Sequence, residues 1–272
     1  MKIKYYGVRG TVATPGQSTI RYGGNTPCVA VWCGKELVIL DAGTGLRVLG
    51  DELGQTRFGK GQGSATLLIS HTHWDHIQGF PFFSPGYIQG NVIRIMGAHQ
   101  INKGLETALH YQQQYQNFPV LLSQMPSRIT FKALEEGVSH RIGDVGVETA
   151  EMNHPGGSFG YRVTWKDKTV VYATDTEHYN SMDHKLIPLC KDADILIYDS
   201  TYTPEEYPDF VGYGHSTYEE GIKLAKEAGV KSLHLFHHHP NHTDDMLDEM
   251  LKKARAIFPK TYMAKEGWEV EI

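Results

Sequence analysis

The chain has 272 residues, 40% of them hydrophobic and 21% charged, with a formal net charge of −5. That balance is ordinary for a globular protein, and its acidic sign speaks against a general nucleic-acid binder, whose footprint would be basic. Cys28, Cys33 and Cys190 form no C-x-x-C pair, so neither a disulfide framework nor a thiolate zinc ribbon is expected. No apolar run is long enough to span a bilayer and no signal-peptide core follows Met1, so a cytoplasmic protein without a membrane partner is expected. No linker, repeat or low-complexity tract interrupts the sequence, and residues 1–272 are expected to form a single domain.

Lys2 to Gly7 reads as a first strand. A Gly/Pro-rich loop reaches Pro27; its length suits a functional loop or a plain surface one, and Gly23-Gly24 suit tight backbone near a ligand. Cys28–Cys33 and Glu36–Asp41 read as a hairpin around Gly34-Lys35, and a helix opens after Asp41-Ala-Gly-Thr-Gly45 and runs to about Leu53. Ala65–Ser70 is an apolar, β-branched run expected to be a buried strand. It delivers His71-Thr-His73-Trp-Asp75-His76 into a tight loop. His71 and His73, two apart, project to one side of an extended segment, and Asp75 and His76 reach the same space after a turn. Imidazole and carboxylate are donors for Zn2+, Mn2+ or Fe2+, so this loop reads as a metal site.

The H-x-H-x-D-H pattern behind a buried strand resembles the first metal motif of the metallo-β-lactamase superfamily. The resemblance implies an α/β fold, an αββα sandwich of four layers in which two mixed β-sheets are flanked by helices. It implies that Asp41 ties backbone together beneath the site, and it asks for a further His, a bridging Asp and a last His downstream, each at a strand end. The strand Val145–Met152 runs into His154, and the buried strand Thr169–Thr174 runs into Asp175, whose two oxygens can bridge two ions. Lys231–Phe236 delivers His237-His238-His239; alignment with the family's strand end selects His237, with His238 and His239 as alternatives. In that scheme one divalent ion takes His71, His73, His154 and Asp175, and the other takes Asp75, His76, Asp175 and His237. The ions would be Zn2+ or Mn2+, with Fe2+ also compatible.

Strands are also expected near Asn91–Met96, at Ile129–Leu134, Val138–Ile142 and Asp194–Asp199. Helices are expected over residues 101–117, over Thr217–Ala228 with Ser216 as N-cap, and over Asp244–Phe258. His215-Ser216-Thr217 resembles the H-S-T element of transfer-RNA 3′-processing nucleases, whose His contacts the scissile phosphate. The resemblance makes Asp75 and His215 catalytic: a metal-bridging hydroxide attacks, and His215, with an unperturbed pKa of about 6.5, protonates the leaving group. Gly7-Val-Arg-Gly10, Tyr22-Gly-Gly-Asn-Thr26 and the Leu-Phe-His-His-x-Pro240 end resemble the phosphoribosyl cyclic phosphodiesterase group and its cyclic-nucleotide relatives. Arg9 and Asn25 become candidates for substrate binding, and Phe82 or Phe83 could wall the pocket.

Transfer-RNA nucleases carry a protruding arm between the third-motif His and the bridging Asp, whereas His154 and Asp175 here are only 21 positions apart. The expected activity is therefore hydrolysis of a small cyclic phosphodiester, a cyclic nucleotide or a ribose cyclic phosphate. No stable nucleic-acid partner is expected, and a homodimer is family habit. The alternatives are a metal-dependent hydrolase of carboxyl esters, lactones or thioesters, and a non-catalytic binding or accessory protein on the same fold.

Overall fold

Fourteen runs of apolar and β-branched residues become the strands of two seven-stranded sheets in the computed structural model. It describes the backbone of residues 1–272 and the side chains of residues 1–98 and 104–272. The first sheet contains β1 (Lys2–Gly7), β2 (Cys28–Cys33), β3 (Glu36–Leu40), β4 (Ser64–Leu68), β5 (Val92–Ala98) and β6 (Arg128–Leu134) in sequential order. The second contains β7 (His140–Ile142), β8 (Val145–Met152), β9 (Ser158–Trp165), β10 (Lys168–Ala173), β11 (Ile195–Asp199), β12 (Leu233–Phe236) and β13 (Thr261–Met263). The chain then returns as β14 (Glu269–Glu271) to cover the β1 edge of the first sheet. β3 to β6 run parallel, as do β10 to β13, so both sheets carry loops with free side chains at the carboxyl ends of parallel strands.

Three apolar clusters define the four layers. Ile3, Tyr5, Val29, Val31, Val163, Tyr172 and Ile197 fill the space between the sheets. On the outer face of the first sheet lies α1 (Gly45–Gly54), whose Leu46, Leu49 and Leu53 recur at helical spacing and are buried. The short α2 (Trp74–Ile77) and α3 (His99–Gln112) lie further along. The second sheet is covered by α4 (Leu186–Cys190), α5 (Tyr218–Glu227) and α6 (Asp244–Ile257), through Leu189, Ile222, Leu224, Leu247 and Met250 among others. This is the expected αββα sandwich.

Several local expectations change. The N-cap of α5 is Thr217, whose hydroxyl accepts from Glu220 N, while Ser216 Oγ engages His178 and Tyr198 instead. The helix expected over residues 101–117 is α3, which ends at Gln112; His99, read from sequence as bland, lies outside the described side chains. Three-residue β13 and β14 and the single turns α2 and α4 carry too little periodicity to be read from sequence. Between His154 and Asp175 the chain holds only β9, β10 and the Lys166–Asp167 turn. Among the described residues no helix is long and apolar enough to cross a membrane.

Buried polar side chains stitch the sheets together. Tyr161 Oη donates to Ile69 O at 2.5 Å, Tyr172 Oη donates to Asp41 Oδ2 at 2.8 Å, and Tyr5 Oη pairs with His234 Nδ1 at 2.5 Å. Burial pushes the His234 imidazole down to about 3, so it is neutral and accepts from Tyr5. Because the unfolded chain binds a proton near 6.5 and the folded chain does not, this group leaves stability intact above that value and erodes it as pH falls towards 3. Lowering the pH from about 7 to about 5 should cost the wild type about 2 kcal/mol more than a His234→Gln variant, which keeps an acceptor for Tyr5. Urea unfolding of both proteins at the two pH values measures it.

Candidate metal centre

Each polar residue of the site sits just beyond a strand whose apolar side chains lock it into a sheet. Asp41 follows β3, the His71–His76 loop follows β4, and His154 follows β8. Asp175 follows β10, Asp199 ends β11 and His237 follows β12. Asp41, Asp175 and His237 all have left-handed backbone, with φ of 59°, 58° and 61°. L-residues adopt this region at a cost, and here it turns the side chain back over the strand end that delivers it. Two glycines make room. Any Cβ on Gly10 would collide with the His237 ring, and any Cβ on Gly214, at φ +88°, with the His154 ring.

The site has two halves that meet at Asp175. On one side His71 Nε2 lies 3.7 Å from Asp175 Oδ2, and His154 Nε2 lies 3.2 Å from His73 Nδ1. On the other, His76 Nε2 lies 3.2 Å from both Asp75 Oδ2 and Asp175 Oδ1. His237 Nε2 is 3.3 Å from the same two oxygens. The carboxylate of Asp175 thus faces one histidine group with Oδ2 and the other with Oδ1. Nε2 of His71 and of His76 is buried without a hydrogen-bond partner, although buried polar atoms are nearly always satisfied. A divalent cation would satisfy both, and a donor set of imidazoles and carboxylates without thiolate fits Zn2+, Mn2+ or Fe2+.

The far sides of three of the rings are held. His76 Nδ1 is 2.7 Å from Asp41 Oδ2, and that carboxylate also accepts from Ser70 N at 2.7 Å and from Ser70 Oγ and Tyr172 Oη at 2.8 Å. His154 Nδ1 donates to Gly214 O at 3.0 Å, and His237 Nδ1 pairs with Thr201 Oγ at 2.9 Å. These contacts put the ring protons on Nδ1 and turn the Nε2 lone pairs inward. Thr11 N donates to Asp75 Oδ2 at 2.8 Å, so the long N-terminal loop closes one side of the centre.

Electrostatics follow from the packing. Burial pushes His71 well below its ordinary range, with His76 adding to the effect and Asp175 opposing it. Burial opposes protonation of His76 too, but Asp175, Asp75 and Asp41 together hold it well above. Burial would raise Asp75 and Asp175; the surrounding histidines outweigh it and keep both carboxyls well below the usual range.

Asp199 is the residue that the sequence reading passed over. Its Oδ2 accepts from Asp175 N at 3.0 Å and lies 2.8 Å from His215 Nδ1; its Oδ1 accepts from Thr201 N and Thr201 Oγ at 2.9 and 2.7 Å. The signal was present: a carboxylate ends a buried parallel strand, as at Asp41 and Asp175. Burial lowers the His215 pKa, but Asp199, then Asp175 and Asp75, raise it to about 9. These carboxylates thus favour the charged form of His215, in place of the unperturbed ring expected from sequence.

A cleft of about 430 Å3 opens over the centre, lined by His73, Asp75, His154, Asp175 and His215 together with Thr11, Thr72, Trp74 and Tyr213. Of the triplet His237-His238-His239, only His237 reaches the carboxylates. His238 Nε2 is bound to Ala264 O, and His239 packs beside Tyr202 and His242. The four expected substrate contacts lie elsewhere. Arg9 is fully buried, and its guanidinium donates to Gly23 O, His239 O and His242 O, because a buried cation must be satisfied by fixed acceptors. Asn25 is tied to Glu266 through its backbone N and its side chain. Phe83 is fully buried in the core beneath the first sheet, and Phe82, although exposed, packs edge-on against Phe118 outside the cleft lining. Gly23 packs against Glu266.

A four-layer sandwich with imidazoles and carboxylates gathered at the carboxyl ends of both sheets defines a class of protein built to hold divalent metal. The family described as the beta-lactamase superfamily domain matches residues 37–238, and the chain belongs to it. Ribonuclease Z of Oceanobacillus iheyensis is 26% identical over 258 residues, covering 76% of this chain and 81% of the relative. The short form of human tRNase Z superposes with a TM-score of 0.73 at 17% identity, covering 100% of this chain and 99% of the other. A diphosphatase of the PhnP family superposes with a TM-score of 0.69 at 15% identity, over 100% and 97% of the two chains. The ribonuclease relative corrects the expectation of a small substrate and no nucleic-acid partner. Net charge is a property of the whole surface, whereas phosphate is met by one cleft, so an acidic total excludes no RNA substrate.

Asp41→Asn removes the anionic acceptor behind His76. It should weaken binding of Zn2+ or Mn2+ about 10–100-fold, measured by competition with a chromogenic chelator.

Proposed function

We propose that the chain is a metal-dependent phosphodiesterase that cleaves an RNA phosphodiester. The observation that carries this reading is the Asp175 carboxylate, divided between two histidine groups, with His215 Nδ1 only 3.8 Å from its Oδ2. Two divalent ions, Zn2+ or Mn2+, held by His71, His73, His154 and Asp175 and by Asp75, His76, Asp175 and His237, would lower the pKa of water and offset charge on phosphoryl oxygens. His215 acts as the acid at the leaving oxygen. Asp199 fixes its Nδ1–H, leaves Nε2 for the cleft, and favours the charged form of the ring. Thr11 N–H and the Asp41 network hold Asp75 and His76 in place against repulsion from their like-charged neighbours.

The ribonuclease relative supports RNA as the substrate. No arm stands between His154 and Asp175, so the cleft itself supplies the contacts, which suits the unpaired end of an RNA strand. The cyclic phosphodiester expected from sequence is the alternative substrate at the same centre.

Metal-loaded protein should hydrolyse a single-stranded RNA oligonucleotide and bis-4-nitrophenyl phosphate. Asp175→Ala should abolish turnover of both, and His215→Ala should lower kcat on the RNA, whose alkoxide leaving group needs a proton, by about 10^2–10^4. The acid must be protonated, so wild-type activity should fall along an alkaline limb of the pH–rate profile. Asp199→Asn should move that limb to lower pH, read from a pH–rate profile. Faster turnover of cyclic AMP or a ribose cyclic phosphate than of RNA would transfer the proposal to the cyclic substrate. Cleavage of lactones or thioesters with no diester turnover would refute it.

A further inference from the structure

Trp74 sits between His73 and Asp75, at the first position of α2, and its side chain is 83% exposed. An indole offers a large, rigid apolar face, and one held open at the rim of a polar cleft is available to a flat ligand. Among the described residues it makes no ring stack, cation contact or hydrogen bond, yet it lines the cleft over the metal centre. Tyr213, 64% exposed, lines the same cleft from the segment before α5, on the side of the second sheet. Behind Tyr213 stands an aromatic wall: its ring meets Phe210 edge-on at 5.8 Å, Phe210 stacks flat on Tyr202 at 4.6 Å, and Tyr202 lies 6.0 Å from His215. One ring is backed by the ligand loop of the first sheet, the other by the loop that carries the acid.

We propose that Trp74 and Tyr213 are stacking platforms for unpaired nucleobases of the nucleotide that places its phosphate over the metal centre. Aromatic faces bind bases with little regard to identity, because every base has a π-face, and a base already stacked in a duplex offers none. The cleft therefore selects single-stranded nucleotide phosphodiesters over diesters of simple alcohols and over paired strands. The inference rests on the phosphodiesterase reading for the reaction, but base binding is measurable apart from it.

Two chromogenic diesters with the same leaving group separate the contributions: thymidine 5′-(4-nitrophenyl phosphate), which carries a base, and methyl 4-nitrophenyl phosphate, which does not. The wild type should prefer the nucleoside ester in kcat/KM. Trp74→Ala should reduce that preference about tenfold, mainly through KM, and Trp74→Phe should restore most of it. Tyr213→Ala should act in the same direction. Equal losses on both esters, or an unaltered preference, would overturn the proposal. In parallel, calorimetric titration of metal-loaded protein compares thymidine 5′-monophosphate with ribose 5-phosphate. Tighter binding of the nucleotide that vanishes in Trp74→Ala supports the platform, and equal binding of the two by the wild type overturns it. A protein that binds the nucleotide through Trp74 but cleaves neither diester would refute the phosphodiesterase reading and leave the base platform standing.

Discussion

A carboxylate almost withdrawn from water must be surrounded by donors or positive charge, and Asp175, at the floor of the cleft where the two sheets meet, is only 2% exposed. Its Oδ1 is held by Thr174 Oγ and its backbone N by Asp199, so the group cannot rotate away from the histidines that face it. Both halves of the site take their position from this one side chain. The left-handed backbone at Asp175 is strained, and the β10–β11 parallel ladder on one side and β9 on the other hold it there.

The same constraint explains why the site is built from both sheets. A carboxylate that must face two groups of imidazoles in different directions needs ligands from two independent scaffolds. β4 supplies His71, His73, Asp75 and His76 from the first sheet, while β8 and β12 supply His154 and His237 from the second. Contacts across the gap keep the sheets in register at this edge: Phe159 N donates to Ser70 O, Tyr161 to Ile69, and Tyr172 to Asp41. The apolar layer between the sheets thus sets the spacing of the polar groups at its rim. A one-residue register slip of β4 or β10 within its own sheet would reverse which of its side chains face the core and dismantle the centre.

Around this rigid floor the rim is open and chemically mixed. Carboxylates beneath favour the charged form of His215, and exposed rings at Trp74 and Tyr213 give the cleft apolar faces. A phosphodiester presents both an anion and flat bases, and the cleft offers a partner of each kind.

The H-x-H-x-D-H loop, the carboxylate after a buried run at Asp175 and the alternation of strand and helix periods were legible because each is a local pattern, set by residues a few positions apart. Phe83, Arg9 and Asn25 lie outside the cleft lining for a reason the sequence does not display. Whether an aromatic ring meets ligand or core, or a guanidinium meets phosphate or backbone carbonyls, depends on what distant segments bring against it. For Arg9 those segments are residues 239–242, and for Asn25 it is Glu266. The partnership of Asp199 with His215 and the exposure of Trp74 were likewise decided in three dimensions. By itself the sequence determined the strand-end delivery of ligands and the sandwich that carries them, since burial patterns act over a single element. The tertiary structure decided which polar groups face one another, because hydrogen bonds and charges act across a few ångströms of space between residues that the chain keeps far apart.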